Sequence, residues 1–306
     1  MDSKSRVACF VSGGGDSMAL LELMLRYRTV CPIDLEALHF NFHLRGEESN
    51  RDEHFVREEC GRKGIGLEVV DAPLTKGSGI QERAREIRRQ VSAKLARKKK
   101  WTHLALGHQA DDQADPVLHR LIRGAGLKGL RGMERESVLT GGVRLIRPLL
   151  SLPRDEIRQW AEQEGVRFIS DSSNETDEYL RNRLRRHLLP KLKKEIPDFL
   201  EKISETCEAL SEANRAIEAK VKAYLGASTG AYNTRDYLSQ PQEIRFRVLR
   251  SVLEKGGYEK QFERKHFEEL ESILARNRGF FKEYGRAVFR HRKGVFSCQS
   301  REIPIA

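Results

Sequence analysis

The sequence has few cysteines and none of the pairings that cysteine chemistry requires. Its 306 residues include five cysteines, and no two of them form a CxxC pair. They are scattered at Cys9, Cys31, Cys60, Cys207 and Cys298. This pattern argues against a disulfide framework, a thiolate zinc site and a cysteine-ligated cluster.

The sequence also lacks an apolar run long enough to span a bilayer. Its first residues, MDSKSRVACFVSG, become polar too early for a signal peptide. We therefore expect a cytoplasmic protein with no membrane partner. With 39% hydrophobic residues, a chain of 306 residues is long enough for one large or two ordinary globular domains.

Acidic residues are too few to balance the basic ones. Lys and Arg number 56 against 45 Asp and Glu, which gives a formal net charge of +11. Such an excess suits a polyanionic partner when it is clustered. The segment LRNRLRRHLLPKLKK, residues 180–194, contains seven basic residues and no acid. Their mutual repulsion favours contact with a nucleic-acid backbone over an inert surface.

Strand-like and helix-like patterns alternate over the first half of the chain. Apolar runs begin near Val7, Leu35, Gly66 and Thr102, and amphipathic segments separate them. The alternation predicts an α/β fold with a doubly wound, mainly parallel sheet. Beyond it the sequence becomes mainly helical and highly charged, which predicts a smaller, mostly helical C-terminal domain. The expected boundaries are a catalytic domain of residues 1–190, a helical linker of residues 191–214 and a C-terminal domain of residues 215–306.

Local signals predict several details of the helices. Ser49 is a candidate N-cap residue, and Pro153 suits the first turn of a helix. Leu180, Leu184 and Leu188 follow one another at steps of four, which predicts one buried helical face.

A glycine-rich corner, SGGGDS at residues 12–17, follows the first predicted strand. Glycines let the backbone turn with positive φ and approach a ligand closely, and the two serines add hydroxyl groups. In a parallel sheet such a corner lies where helix N-termini bind anions. It lacks the lysine of a Walker loop, and Met18 stands where a dinucleotide fingerprint needs glycine. The pattern predicts a phosphate-binding loop of another kind.

A cluster of acidic residues follows the fourth predicted strand, at the same edge of the sheet. Asp111, Asp112 and Asp115 open a predicted helix, where negative charge is favourable. Three carboxylates exceed what capping requires, and Asp112 and Asp115 share one helix face. Such a pair suits a cationic substrate. For His108, just before the cluster, contact with a phosphate and a satisfied, buried imidazole both remain open.

The corner at residues 12–17 resembles the SGGxDS signature of the PP-loop ATP pyrophosphatases. Within that superfamily, three further stretches resemble the tRNA(Ile)-lysidine synthetases. They are NFHLRGEES (41–49), GHQADDQADPVLHRLIRGAGLKGL (107–130) and RPLL…DSSNETDEYLRNRLRRHLLP (147–190). The resemblance covers nearly all of residues 6–190, and four spaced blocks are far more specific than the loop alone.

The resemblance implies an ATP-dependent ligase that modifies tRNA. O2 of the wobble cytidine, in tRNA(Ile) with a CAU anticodon, would attack the α-phosphate of ATP and release pyrophosphate. The ε-amine of free lysine would then displace AMP at C2, forming lysidine and changing the codon read from AUG to AUA. The implied cofactors are ATP and Mg²⁺. The oligomeric state is left open, with a homodimer as one alternative.

The resemblance also assigns roles to residues of this chain. Asp16 would contact the metal as well as ATP, and Arg88 matches an arginine of the family's active site. Asp112 and Asp115 match the pair that recognises lysine, so the implied catalytic residues are Asp16, Arg88, Asp112 and Asp115. The implied ATP-binding residues are Ser12, Gly13, Gly14, Gly15, Asp16, Ser17 and His108. The implied tRNA-binding residues are Arg181, Arg183, Arg185 and Arg186.

One departure from the family pattern bears on lysine recognition. Asp115-Pro116 stands where the family has Glu-Thr, and aspartate is shorter by one methylene. Pro116 costs little within the first turn of a helix and more beyond it.

Three alternative functions remain open. A thiolating relative of the 2-thiocytidine type would need paired cysteines or a cluster. A small-molecule amidating synthetase would need an ammonia-handling part, which is not evident. An inactive RNA-binding relative is suggested only by Asp115-Pro116. The C-terminal domain is expected to dock tRNA, whereas Tyr224, Tyr232 and Tyr237 are more typical of a core than of a base-stacking surface.

Overall fold

The computed structural model describes residues 1–2, 4–75, 77, 79–139, 141–169 and 183–301. The chain divides into two units, Met1–Ser211 and Glu212–Ala306. The predicted linker of residues 191–214 is therefore mostly part of the first unit. The reason is that the division falls inside one continuous helix, Phe199–Gly226.

The first unit is built on a six-stranded sheet with the strand order β3-β2-β1-β4-β6-β5. Neighbouring strands are parallel except for β5, which pairs antiparallel with β6. The chain passes from β1 through β2 to β3 on one side, and β4 then pairs with the other side of β1. The carboxyl ends of β1 and β4 therefore form a topological switch point, where ligands bind in open α/β sheets. The strands are β1 Arg6–Phe10, β2 Asp34–Asn41, β3 Gly66–Asp71, β4 His103–Ala105, β5 Glu136–Val138 and β6 Arg144–Ile146.

Helices cover both faces of this sheet. Val7 and Cys9 of β1 pack into one buried cluster, and Ala8 between them packs into another with Leu104 and Ala96. A strand buried on both faces is typical of a doubly wound sheet, and this part of the prediction is confirmed. The helices are α1 Gly15–Val30, α2 Glu47–Arg62, α3 Ile80–Lys99, α4 Ala110–Ile122, α5 Leu127–Leu130 and α6 Arg154–Gln163.

The N-cap of helix α2 lies three residues before the predicted one. Its N-cap is Gly46, and Ser49 lies inside the first turn. The Ser49 hydroxyl accepts a hydrogen bond from the backbone N–H of Arg45 at 3.1 Å. The prediction of Ser49 as the N-cap is wrong, because Gly46 supplies the unusual backbone conformation (φ 57°, ψ −124°) from which the helix starts.

A π-helical turn, Leu184–Leu188, precedes α7, Leu189–Glu195, and α8, Phe199–Gly226. The N–H of Leu189 bonds to the carbonyl of Leu184, five residues back. Pro190 has no N–H to offer the carbonyl of Arg186, and its ring would clash with that carbonyl in an α-helix.

This turn changes which leucine is buried. Leu184 is 6% exposed and Leu189 is 3% exposed, whereas Leu188 is 37% exposed. The predicted stripe is therefore wrong at Leu188. The π turn contains one more residue than an α-helical turn, so Leu189 and not Leu188 occupies the buried position. Leu180 lies outside the described residues.

The second unit contains an antiparallel sheet with the strand order β7-β10-β9-β8. Tyr232 and Tyr237 are buried in its core, and Tyr224 packs against that core, as expected of structural aromatics. The mostly helical C-terminal region is confirmed, with this sheet in addition. Its strands are β7 Ala231–Asn233, β8 Phe280–Tyr284, β9 Ala287–Arg292 and β10 Val295–Ser300. Its helices after α8 are α9 Thr234–Leu238, α10 Gln242–Lys255 and α11 Arg264–Ala275.

Within the described ranges, no helix combines the length and the apolar character needed to cross a membrane.

Candidate active site

The loop between β1 and α1 makes the turn that its glycines predict. The backbone at Gly13 has φ +91°, a conformation that favours glycine. The Gly13 carbonyl accepts a hydrogen bond from the Ile169 N–H at 2.8 Å. A Cβ at Gly13 would lie 3.2 Å from Cδ1 of Ile169. The positive φ therefore favours glycine at this position, and a Cβ would in addition crowd the Ile169 side chain.

The two serines brace the loop from within. The Ser17 hydroxyl accepts the Ser12 N–H at 3.1 Å and donates to the Gly14 carbonyl at 2.8 Å. Gly14 is the N-cap of α1 and has no side chain that could cap the helix. The N–H groups of Gly15 and Asp16, at the start of the helix, have no intrahelical acceptors, whereas the Ser17 N–H donates to the Gly14 carbonyl at 3.1 Å. The loop thus presents donors and a helix N-terminus to an anion such as a phosphate.

A second loop, which follows β4, closely approaches this one. A Cβ at Gly107 would lie 3.1 Å from the carbonyl oxygen of Asp16 and 3.3 Å from Cα of Ser17. Glycine at residue 107 therefore lets the two strand ends meet at the switch point. The sequence pattern did not single out Gly107, although its position directly after the fourth predicted strand is a signal.

A cavity of about 1260 Å³ opens over the two loops. Of the predicted ATP-binding residues, Ser12, Gly14, Gly15, Asp16, Ser17 and His108 line it. Arg88, predicted for the active site, lines it as well. The rest of its lining is strongly basic and includes Arg154, Arg158, Arg185, Arg186, Lys193 and Lys194.

Asp16 is the carboxylate of the phosphate-binding loop itself. Its side chain is 26% exposed, and its Oδ2 lies 3.6 Å from Nη2 of Arg154. Burial raises the pKa of Asp16 above its ordinary value, Arg154 opposes the rise, and Asp112 and Asp111 add to it. A carboxylate so placed is stabilised by a cation.

A magnesium ion would fit at Asp16. Magnesium in nucleotide sites is commonly held by one or two carboxylates together with phosphate oxygens and water. Among the described residues, no three His, Cys, Asp or Glu side chains are grouped so that they could hold a metal by themselves. Asp16, in the phosphate-binding loop, therefore fits a magnesium site in which phosphate oxygens and water supply the other ligands.

His108 is half-buried on the cavity wall. Burial lowers its pKa to about 4, with Asp112 opposing the shift and Arg147 adding to it. Nδ1 of His108 is buried without a hydrogen-bond partner among the described residues. The imidazole is therefore neutral at pH 7, and it differs from a satisfied core histidine. This arrangement favours the alternative in which His108 contacts a ligand.

Arg88 lies over an aromatic wall of the cavity. Its Cζ is 5.5 Å from the centre of the Phe42 ring. The Phe42 ring stacks on Phe40, which stacks in turn on Phe10, and neighbouring ring centres are 5.8 Å apart. Burial by the surrounding protein lowers the pKa of Arg88, and the positive charge of Arg85 adds to the shift. The guanidinium still carries its charge at pH 7 and faces the cavity.

Asp112 and Asp115, the predicted lysine-binding pair, are not among the residues that line the cavity. Oδ2 of Asp112 accepts the Gln109 N–H at 3.3 Å as part of the capping box of α4. Asp115 is 3% exposed. Pro116 is the seventh residue of α4, so the helix lacks the hydrogen bond that residue 116 would donate to the Asp112 carbonyl. Lysine binding by this pair stays a prediction.

The neighbouring carboxylate, Asp111, connects three elements of the site. Its Oδ2 accepts the backbone N–H of Arg154, at the start of α6, at 3.0 Å. Its Oδ1 accepts a hydrogen bond from Nζ of Lys193, on α7, at 3.0 Å. The sequence placed Asp111 in the acidic cluster but gave a role only to Asp112 and Asp115, because the partner of Asp111, Lys193, is 82 residues away in the chain.

The basic segment is less uniform than its sequence predicts. Lys193 is compensated by Asp111 and, at 2.7 Å, by Asp155. The expectation of seven uncompensated charges is therefore wrong at Lys193. Arg183 is exposed, and Arg181 lies outside the described residues. Contact of Arg181, Arg183, Arg185 and Arg186 with tRNA stays a prediction.

Taken together, the switch-point loops, the open helix N-terminus and the basic cavity define a nucleotide-binding α/β domain of the PP-loop type. Residues 2–192 match the family model of the PP-loop domain, and the chain belongs to this family.

The chain is also similar to several tRNA(Ile)-lysidine synthases, which confirms the resemblance in sequence. That of Bacteroides thetaiotaomicron is 39% identical over 231 residues, covering 72% of this chain and 52% of the relative. That of Geobacillus kaustophilus is 34% identical over 254 residues, covering 79% and 54%. The chain thus spans about half the length of these two relatives.

Among solved structures, the chain is similar to the U34-tRNA thiolase NcsA from Methanococcus maripaludis with its [4Fe-4S] cluster. The TM-score is 0.59 at 23% identity, and the match covers 69% of this chain and 73% of that one. This likeness concerns the fold.

Proposed function

We propose that the protein ligates lysine to C2 of the wobble cytidine in tRNA(Ile) with a CAU anticodon, using ATP and forming lysidine. The observation that carries the proposal is the coincidence of a complete phosphate loop at the switch point with 39% identity to a tRNA(Ile)-lysidine synthase over 231 residues. Free lysine and tRNA are its substrates in addition to ATP.

The first step is adenylation of the base. O2 of the cytidine forms a bond to the α-phosphorus, and the bond to pyrophosphate breaks. The loop at residues 12–17 would hold the phosphates through its free N–H groups, and Asp16 would hold Mg²⁺. That ion, when bound, neutralises the triphosphate charge. Arg88 faces the cavity at the edge of its aromatic wall, where a guanidinium stabilises the charge that develops on phosphate.

The second step joins lysine to the activated base. The ε-amine forms a bond to C2, AMP leaves with the O2 oxygen, and the amine loses a proton. Asp112 and Asp115 are proposed to hold the lysine. Because its pKa is about 4, His108 is neutral at pH 7 and adds no charge to the cavity wall.

The positions of the cysteines weigh against a thiolating function. Cys9, Cys60 and Cys207 are buried, and burial raises the pKa of Cys60 and of Cys207 to about 11. Thiolates attack and ligate, so buried thiols with raised pKa values suit neither sulfur transfer nor cluster binding. Cys31 and Cys298 are partly exposed, but each belongs to a different unit.

The deciding experiment supplies purified protein with ATP, Mg²⁺, labelled lysine and unmodified tRNA(Ile). We expect label in the tRNA, together with AMP and pyrophosphate in equal amounts. A tRNA with uridine as the only change at the wobble position is the matched control and should remain unlabelled. Incorporation of sulfur or ammonia instead of lysine would overturn the proposal.

A further inference from the structure

The Arg154 guanidinium lies beside the Asp16 carboxylate, which a positive charge stabilises. Its Nη2 is 3.6 Å from Oδ2 of Asp16, at the mouth of the phosphate-binding loop. The Arg154 side chain is 42% exposed and lines the cavity. A divalent ion bound to the Asp16 carboxylate would compete with this guanidinium for the same negative charge.

The base of the Arg154 side chain is fixed, although its tip is exposed. Arg154 is the first residue of α6, and its backbone N–H donates to Oδ2 of Asp111 at 3.0 Å. Asp111 is held in turn by Lys193. The guanidinium can therefore swing over the cavity while its backbone stays in place.

We propose that Arg154 is a placeholder counter-ion, which neutralises Asp16 in the nucleotide-free protein and moves to the nucleotide phosphates when metal–ATP engages Asp16. This inference rests on the proposed use of ATP. A guanidinium is suited to the exchange, because its planar fork binds carboxylate and phosphate oxygens with the same geometry. The site thus avoids an uncompensated carboxylate before ATP arrives and gains a phosphate ligand afterwards.

Arg158 provides a matched control for the effect of Arg154 on metal binding. It lies one turn further along α6 and lines the same cavity. Its ion pair, however, is with Glu162 on its own helix at 3.2 Å. Removing Arg158 deletes the same charge from the same wall and leaves the Arg154–Asp16 pair intact.

The first arm of the test measures the binding of Mn²⁺ alone, without nucleotide, by calorimetry or electron paramagnetic resonance. Arg154→Gln should bind Mn²⁺ roughly two- to fivefold more tightly than the wild type, the range expected when a partly exposed ion pair is removed. Arg158→Gln should leave the affinity for Mn²⁺ unchanged, and Asp16→Asn should abolish the gain. Unchanged Mn²⁺ affinity in Arg154→Gln overturns the inference.

The second arm measures the binding of ATP with Mg²⁺, in the absence of tRNA and lysine. Here Arg154→Gln should weaken binding roughly tenfold or more, because a charge-assisted phosphate contact is lost. Opposite effects on Mn²⁺ and on ATP are the signature of a counter-ion that changes partners. A merely structural residue would weaken both.

Arg154→Lys tests the same idea with the charge retained. It should bind Mn²⁺ like the wild type and ATP more weakly, because a lysine lacks the forked geometry. Wild-type affinity for ATP in both Arg154 variants would overturn this inference alone. Failure of the wild type itself to bind ATP would overturn the proposed function and this inference together.

Discussion

At the scale of single residues, the site depends on two positions to which the sequence assigned no role. Gly107 allows the loop after β4 to touch the backbone of Asp16 and Ser17. Asp111 joins the starts of α4 and α6 to Lys193. Gly107 acts because it has no side chain, and Asp111 acts through both oxygens of its carboxylate. Gly107 sets how closely the two loops approach, and Asp111 ties the start of α6 to α4 and α7.

Gly107→Ala should displace the phosphate-binding loop. The added Cβ would meet backbone atoms at 3.1 to 3.3 Å, and backbone cannot rotate away as a side chain can. We expect a loss of roughly 1–3 kcal/mol in the free energy of unfolding, as for other overpacked sites, with weaker binding of ATP. The measurements are chemical denaturation and calorimetric titration with ATP. Gly126→Ala is the control, because its backbone is extended and no atom lies within 4 Å of the added Cβ. Equal stabilities of the two variants would contradict the close approach.

His108 should make the protein less stable as the pH falls. Burial lowers its pKa to about 4 from the ordinary value of 6.5. Between these values the unfolded chain binds a proton that the folded protein does not. This contribution to stability is therefore complete above the unfolded pKa and declines as the pH falls toward the folded one. One proton corresponds to at most about 1.4 kcal/mol per pH unit.

The measurement for His108 is the free energy of unfolding across this pH window. His108→Gln should show a shallower decline than the wild type. His54, which is exposed on α2, provides the control, and His54→Gln should follow the wild-type curve. Parallel curves for wild type and His108→Gln would contradict the assigned shift.

At the scale of elements, periodicity predicted the parallel sheet and its helices because those segments follow regular backbone geometry. The prediction failed where one residue changes that geometry. Pro190 forces a π turn that exposes Leu188, and Gly46 starts α2 ahead of Ser49. The phosphate-binding loop and Arg88 could be predicted because their signals are local or carried by the family. The Asp111–Lys193 pair could not, because no local pattern relates residues so far apart in the chain.

The π turn makes a prediction about two neighbouring leucines. Leu189 is 3% exposed and packs with Ala110, Ala114 and Leu200, whereas Leu188 is 37% exposed. Leu189→Ala should cost roughly 2–5 kcal/mol of unfolding free energy, the range for buried leucines. Leu188→Ala should cost less than about 1 kcal/mol, as at other surface positions. Chemical denaturation of the pair decides the question, and a larger loss at Leu188 would mean that the helix keeps its α-helical register.

At the scale of the whole molecule, the family assignment and the two units coincide only in part. Residues 2–192 match the PP-loop domain and contain the sheet and the cavity. The second unit has its own aromatic core and its own antiparallel sheet. On that sheet, Arg290 lies 5.8 Å from the ring centre of Phe281, which is an exposed aromatic residue. Docking of tRNA by this unit and assembly into a homodimer stay predictions.

The excess of positive charge predicts how tRNA binding depends on salt. A polyanion releases counter-ions when basic residues contact its phosphates, so affinity should fall steeply with salt concentration. Each contact removed lowers the log–log slope by roughly 0.7 to 0.9. If both residues contact phosphate, Arg183→Gln combined with Lys194→Gln should therefore lower the slope by about 1.5.

The matched control for the salt experiment is Arg26→Gln. Arg26 is engaged by Glu164 at 2.6 Å and by Glu22 on its own helix, so its charge is already compensated within the protein. Filter binding or fluorescence titration at several salt concentrations gives the slopes. The Arg26 variant should keep the wild-type slope, because a charge that already has carboxylate partners releases few counter-ions from the RNA. A flat salt response of the wild type, or equal slopes for the double variant and the wild type, would show that the basic segment at residues 183–194 faces solvent and not a nucleic-acid backbone.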